Sequence, residues 1–486
     1  MIKGRDIIFI SSIDWDAQWQ APQELALRLS RAGNRVLYLE NTGIRAPGLR
    51  DAGRVMRRLK RWAGAWDTQG ARLIQPGLWV YTPLILPPFG SGLSEYFNRH
   101  LLLPLIGAAA RRLGMRDPLI WAFLPTDTTL SLLDSLGSAR GRTVYYCAAD
   151  FAQLTTSSQR LARSEAELVR RSDVVFTICD ELATHCRRWN TNVHVFPYGV
   201  NLKAFPLPAS DHAPTSDPAH ASGSAPAARP EPNGFSWTRP RTNGHNGHNG
   251  HNGHNGHDRH NGHDGHNGHH GHHGHKVIGY VGGLHRHVGV EMLVEMARAR
   301  PAWSWVFVGS SEVPLKDLAG LPNVYLPGQR PHHELARYIR TFDVCIVPYR
   351  RSAYTETVVP SKINEYLAMG KPVVSTDLPP VCDFNDKHQV IITAEDQPRS
   401  FLRAIEHALS RGEDTALVAR RRAVARQGDW EARLEAMSEL ILDDRETTER
   451  SRVPRVAVET NKSQAFVEVD TDDQSTLDTD NQIAVL

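Results

Sequence analysis

Short runs of consecutive apolar, often β-branched residues alternate along the first two hundred or so residues with stretches whose apolar positions recur every three or four places. The runs are DIIFISSI from Asp6, RVLYLEN from Arg35, LWVYTP from Leu78, PLIWAFLP from Pro118, TVYYCAA from Thr143, DVVFTIC from Asp173 and VHVFPYG from Val193. Their length and near-continuous hydrophobicity predict strands buried on both faces. Between them, PQELALRLSRAG and RSEAELVRRS carry the spacing of amphipathic helices. A strand, helix, strand alternation of this kind predicts an α/β fold, a doubly wound parallel sheet covered on both sides.

The pattern stops near Phe205. About seventy residues follow that are dominated by Pro, Ala, Ser, Gly, Asn and His, and His245 to His275 is largely the triplet HNG with 13 of the 24 histidines. With almost nothing apolar to bury, residues 206–275 are expected to be a disordered linker, a His/Gly/Asn-rich insertion between domains. Alternation then resumes with KVIGYVGG, WSWVFVGS, NVYLPGQ, the helix HHELARYIRTF, DVCIVPY, the helix PSKINEYLAMG, KPVVST and QVIIT. The expected organisation is therefore a first Rossmann-like domain (1–205), the linker, a second Rossmann-like domain with closing helices (276–442), and a polar, acidic, disordered tail (443–486).

Composition narrows the class of protein. Apolar residues make up 41% and charged residues 22%, ordinary values for a folded enzyme, and the net charge is +3. Five cysteines, Cys147, Cys179, Cys186, Cys345 and Cys382, form no CxxC pair and read as small buried hydrophobes in a reducing compartment. The N-terminal apolar run is broken by Asp14 and Asp16, and LLLPLIGAAA from Leu101 is far short of the ~20 residues of a membrane span. The expectation is a cytoplasmic protein without secretion signal, and one without the aromatic-rich basic surface of a nucleic-acid binder. Residues 50–66 combine clustered bases with Val55, Leu59, Trp62 and Trp66 near helical spacing. Such a helix either lies on the anionic inner face of a membrane or packs its stripe on the core.

Two facing sheets of this kind bind ligands beyond the carboxyl ends of their strands, where loops lead into helices. In YVGGLHRH, Gly282 and Gly283 allow a backbone to approach a ligand closely. In VVPSKINEY, Pro360 suits a helix's first turn, Ser361 offers a hydroxyl, Lys362 a cation for phosphate, and Glu365 a carboxylate one turn further along the same face. An exposed Lys and Glu on a surface helix would give the same spacing.

The run VVPSKINEYLAMGKPVVSTDLP resembles the donor-binding motif of group 1 glycosyltransferases, whose two-Rossmann architecture is called GT-B. VHVFPYGVNLKAF and IGYVGGLHRHVGVEMLVEMARARPAWSWVFVG are similar to two further segments of that family. SSIDWDAQWQAPQELALRLSRAGNRVLYLEN resembles a subgroup that includes teichuronic-acid-type transferases of bacterial envelope polysaccharides. The resemblance implies a metal-independent, retaining hexosyltransferase that needs no cofactor. It would take a nucleotide-diphosphate sugar as donor and pass the sugar to a glycan or lipid-linked acceptor. It further implies that Glu365 holds the ribose, Lys362 the diphosphate, Gly282 and Gly283 face the phosphates, and Gly328 and Gln329 lie near the base.

The chain departs from the family at the first of its two glutamates, where Thr357 stands with Glu356 one place away. The frequent Arg and Lys of the first glycine loop correspond to Gly283 and Val288, leaving Lys362 and Arg286 to neutralise the diphosphate. The acceptor side is expected to use Asp14, Trp15 and Gln20, although a helix-capping Asp beside a packed Trp fits the same residues. Asp14-Trp15-Asp16 has the form of a metal-holding DxD, but it sits in the domain away from the donor motif, so no metal ligation is assigned. If the reaction inverts configuration, Asp150 and Asp127 stand at strand ends suited to a general base, and both also suit caps or loops. An epimerase-like enzyme of the same fold, and a non-catalytic sugar-nucleotide or metal-binding protein, remain alternatives.

Overall fold

The computed structural model describes residues 1–40, 70–83, 96–154, 158–206, 275–412 and 414–443. The His-rich stretch, the acidic tail and the basic stretch 50–66 lie outside these residues.

Two sheets organise the chain. The first contains β1 (Asp6–Ile10), β2 (Arg35–Leu39), β3 (Ala71–Gln75), β4 (Leu78–Tyr81), β5 (Leu119–Ala122), β6 (Thr143–Cys147), β7 (Val174–Thr177) and β8 (Val193–Val195), in the order β3-β4-β2-β1-β5-β6-β7-β8. The second contains β9 (Val277–Val281), β10 (Ser304–Val308), β11 (Val324–Tyr325), β12 (Val344–Val347), β13 (Val373–Thr376) and β14 (Ile392–Ala394), in the order β11-β10-β9-β12-β13-β14. All pairings in the second sheet are parallel, and its order is that of a dinucleotide-binding domain. Central strands such as β1, β6, β9 and β10 are buried at every position, which is why their sequences are continuous hydrophobic runs rather than alternating ones.

The first sheet is not parallel throughout. β3 pairs antiparallel with β4 through a turn at Pro76-Gly77, where Gly77 has φ +81°. A Cβ on Gly77 would stand 2.8 Å from the Asn34 carbonyl oxygen, so glycine is required twice over at this turn. β3 is an edge strand with Leu73 exposed, and an antiparallel edge on a parallel sheet needs no crossover helix.

The last helix, Trp430–Leu442, belongs physically with the first domain rather than the second. Ser438 accepts the Ile2 amide at 3.0 Å, and the Arg142 guanidinium donates to the Asp443 carbonyl at 3.0–3.1 Å. The chain crosses over at a bridge between Val200 and Asp429, where the Trp430 ring lies so close over Gly199 that a Cβ there would be 2.5 Å from it. The second domain expected to run to 442 therefore ends before this helix, which ties both halves together. Asn364 of the second domain adds a side-chain donor to the Tyr198 carbonyl at 2.8 Å.

Candidate functional site

In each sheet the strand order reverses beside the first strand, and the second sheet's reversal lies between β9 and β12. The loops leaving these two strands therefore splay apart and leave a crevice. A cleft of about 820 Å³ opens there, walled by both domains. Its second-domain wall includes Gly282, Gly283, His285, Gln329, His332, Tyr349, Ser361, Lys362 and Glu365. Its first-domain wall includes Gln18, Trp19, Gln20, Glu24, Tyr198 and Asn201.

Lys362 opens the helix Lys362–Ala368, with Ser361 as its N-cap. Pro360, expected inside the first turn, precedes the helix and accepts the Ile363 amide at 3.1 Å. The Lys362 ammonium donates to Tyr349 Oη at 2.6 Å and lies 5.3 and 4.9 Å from the centres of the Tyr280 and Tyr349 rings. Two aromatic faces favour a cation electrostatically without neutralising it. Its stem passes over Gly282, which has φ +147°, and a Cβ on that residue would stand 2.7 Å from Lys362 Cε. The lysine can reach the cleft because residue 282 has no side chain.

One turn along the helix, Glu365 accepts from His332 Nε2 at 2.9 Å, and the His332 ring meets Phe205 edge-on at 5.3 Å. Burial disfavours the imidazolium, but the hydrogen bond and charge of Glu365, with Glu24 adding to them, outweigh it, and the pKa of His332 lies above the ordinary value. Stability from such a raised pKa is fully present below the unfolded value of about 6.5 and is lost as pH rises through the folded one. The melting temperature of the wild type is therefore expected to decline more steeply than that of His332→Gln from about pH 6 to pH 8. Calorimetry over that range checks it, and parallel curves would refute the coupling.

Gly328, with φ +78°, accepts the Gly309 amide at 3.0 Å and stands behind the cleft wall that Gln329 lines. Arg286 is exposed, its Nε donating to His287 Nε2 at 3.1 Å, and it does not line the cleft. Glu356 is exposed on the turn Thr355–Thr357, and Thr357 turns its hydroxyl to the Tyr354 carbonyl at 3.2 Å; neither lines the cleft.

On the first-domain side, Gln20 lines the cleft, whereas Asp14 and Trp15 do not. Trp15 is buried, packed edge-on against Tyr38 at 5.1 Å, and the ring on the cleft wall is its neighbour Trp19. Asp16 pairs with Arg72 at 3.1 Å, and the described residues contain no cluster of three metal-ligating side chains. Asp127 is the first residue of a helix capped by Thr126 and binds Arg160 and Ser164. Asp150 accepts the Ala152 amide at 3.1 Å. Both lie off the described lining of the cleft.

Several cleft residues carry little local signal. Glu24 is buried at the hub of three donors, Trp19 Nε1 at 2.8 Å, Arg28 Nε at 2.7 Å and Asn201 Nδ2 at 3.0 Å. His285 stands in a loop without periodicity, and His332 opens the turn His332–Glu334 at the start of the expected helix HHELARYIRTF, so only the folded chain shows that they come to Lys362 and Glu365.

Two Rossmann-like sheets facing a shared cleft, the second with nucleotide-binding strand order, define the GT-B architecture. Residues 275–411 match the family model of glycosyl transferases group 1. A Bacillus subtilis (strain 168) protein named "Putative teichuronic acid biosynthesis glycosyltransferase TuaH" is 34% identical over 158 residues, 32% of this chain. The match spans only 40% of that relative's length. Among solved structures, sucrose-phosphate synthase from Thermosynechococcus elongatus aligns with a TM-score of 0.58 at 16% identity, over 92% of this chain and 100% of its own. Anabaena HepE in complex with UDP-glucose aligns with a TM-score of 0.53 at 14% identity, over 90% of this chain and 99% of its own. At such identities these two structures speak for the fold.

Proposed function

We propose that this protein is a glycosyltransferase that binds a nucleotide-diphosphate sugar in the second-domain wall of the cleft. It transfers the sugar to an acceptor hydroxyl presented from the first domain, in the synthesis of a cell-envelope polysaccharide or glycolipid. The observation that carries this reading is the pairing of Lys362 and Glu365, one helical turn apart in the cleft, with the side-chain-free backbone of Gly282 beneath the lysine. An ammonium beside a close-approaching backbone suits a diphosphate, and a carboxylate at that distance suits vicinal ribose hydroxyls. The group 1 family match and the envelope-polymer name of the Bacillus relative support the substrate class.

Breaking the bond between the anomeric carbon and the diphosphate oxygen leaves the electron pair, and growing negative charge, on that oxygen. Lys362 supplies a fixed positive charge there, the task a metal performs in other transferases, and on this basis we read the reaction as metal-independent. Inversion would require a base on the acceptor side. Among the described first-domain residues of the cleft the one carboxylate is Glu24, which three donors already occupy. That supports a retaining course.

The acceptor wall formed by Trp19 and Gln20 suits a sugar, an aromatic face beside an amide. A lipid-linked acceptor would accord with membrane contact through residues 50–66, and no described helix is long and apolar enough to cross a membrane.

The test is nucleotide release from a panel of UDP-, GDP- and dTDP-sugars with EDTA present. Release from one donor, stimulated by an acceptor extract and unchanged by EDTA, is expected. Release abolished by EDTA would overturn metal independence, and no binding of any member would overturn the donor site.

A further inference from the structure

Beside Lys362 the cleft holds a second polar side chain, one of whose two ring nitrogens has no partner among the described residues. His285 is buried, with 4% residual exposure, yet it lines the cleft in the loop that follows β9. The His287 amide donates to its Nδ1 at 3.2 Å. A backbone N–H can only donate, so Nδ1 is unprotonated and the ring proton is on Nε2. That nitrogen has no hydrogen-bond partner among the described residues. The ring edge that carries it borders the space over Gly283: a Cβ on Gly283 would stand 3.7 Å from His285 Cδ2, 3.7 Å from Ser310 Oγ and 3.5 Å from Gln18 Oε1. That N–H opens onto the cleft, where a ligand oxygen can accept from it.

We propose that His285 is a phosphate-recognition residue of this cleft, presenting Nε2–H as a neutral donor to the diphosphate of the sugar donor. The inference rests on the donor-site reading above and assigns a residue to it. Protonation is disfavoured from every side. Burial comes first, then the charge of Lys362 from the neighbouring helix and those of His287 and Arg286 on its own loop, and together they push the pKa down to about 2. Tyr349, from the loop after β12, meets the ring edge-on at 5.7 Å and brings no negative charge. Imidazolium formation would also turn Nδ1 into a donor and break its bond with the His287 amide. With burial and the neighbouring cation both opposing the charged form, the ring stays neutral at neutral pH. The division of labour is thus one cation, Lys362, and one fixed neutral dipole, His285, aimed at the same leaving group.

The experiment is titration of the full-length protein with UDP, GDP and dTDP and with the matching nucleosides, comparing wild type, His285→Leu, His285→Gln and Lys362→Met from pH 5.5 to pH 8. A hydrogen bond to a charged acceptor predicts that His285→Leu weakens the nucleoside diphosphate by about 10- to 100-fold and leaves the nucleoside unchanged. His285→Gln, which restores an N–H, recovers most of the loss, and the ratio of wild-type to His285→Gln affinity stays flat across the pH range. Equal losses for nucleoside and diphosphate would reveal a packing role and overturn the inference, as would a ratio that rises towards low pH, the mark of an imidazolium. If wild type binds no nucleoside diphosphate, the donor-site reading itself fails; if it binds through Lys362 but indifferently to His285, only this inference does.

Discussion

Lys362→Met is expected to lower kcat by about 10²- to 10³-fold, the typical loss when one preorganised group facing a developing charge is removed. Methionine keeps the length of the stem and its packing over Tyr280 and Tyr349, so the substitution removes charge and little else. No described carboxylate pairs with the Lys362 ammonium, whose contacts are one phenol oxygen at 2.6 Å and two ring faces. A cation left uncompensated and half-buried on the cleft wall interacts more strongly with an incoming anion than a fully solvated surface lysine would. The attraction grows as charge gathers on the leaving oxygen, so the loss should fall on kcat more than on KM. Glu365→Gln provides the contrast. A ribose contact is alike in ground and transition states, so its loss should raise KM while kcat holds. Steady-state rates with the donor identified in the panel measure both. An unchanged kcat in Lys362→Met would remove the lysine from the leaving-group site.

Much of this cleft could be anticipated from the chain alone, for reasons of periodicity. Strands buried on both faces must be continuous apolar runs, so β9, β10 and β12 announce themselves, and the loop leaving each one is located by its end. Lys362 and Glu365 are legible because a helix converts a spacing of three residues into a shared face. The same reasoning could not place Trp15 and Trp19. Both lie in the loop SSIDWDAQWQ, and which ring turns inward is decided by Tyr38 and Glu24, residues remote in sequence. Nor could it find β3, whose sequence ARLIQ is short and half polar because an edge strand buries only part of itself. The helix Trp430–Leu442 shows Trp430, Leu434, Met437 and Ile441 on one face, but a stripe does not say which sheet it covers. Glu356 and Thr357 stay off the cleft because Thr355, bonded through its hydroxyl to the Arg350 carbonyl at 2.7 Å, folds that segment into its own turn. Such choices are made by tertiary partners, and local pattern carries no trace of them.

The second large effect is expected at Gly309, a cleft-lining glycine that acts through the backbone it braces. Gly309 follows β10, donates its amide to the Gly328 carbonyl at 3.0 Å, and lies backbone to backbone against the glycine loop. A Cβ on Gly309 would stand 1.9 Å from the Gly282 carbonyl oxygen and 2.5 Å from its carbon. Ordinary contact begins at 3.4 Å, so Gly309→Ala must drive the two segments apart by about 1.5 Å, and no rotamer can relieve a clash between main chains. The strain should destabilise the fold by about 1–3 kcal/mol. The displaced Gly282 also carries the floor under the Lys362 stem, and misplacement by about 1 Å at a reacting centre can cost about 10²-fold in rate. Gly309→Ala should therefore lose melting temperature and kcat together. Gly328→Ala isolates the alternative: its φ of +78° is strained for alanine, but nothing lies within 4 Å of the new Cβ, so it should lose about 1 kcal/mol of stability and leave Gly282 in place. Thermal unfolding and turnover of the two variants, measured side by side, distinguish bracing of the loop from simple backbone strain. Equal kcat losses at equal destabilisation would refute the brace.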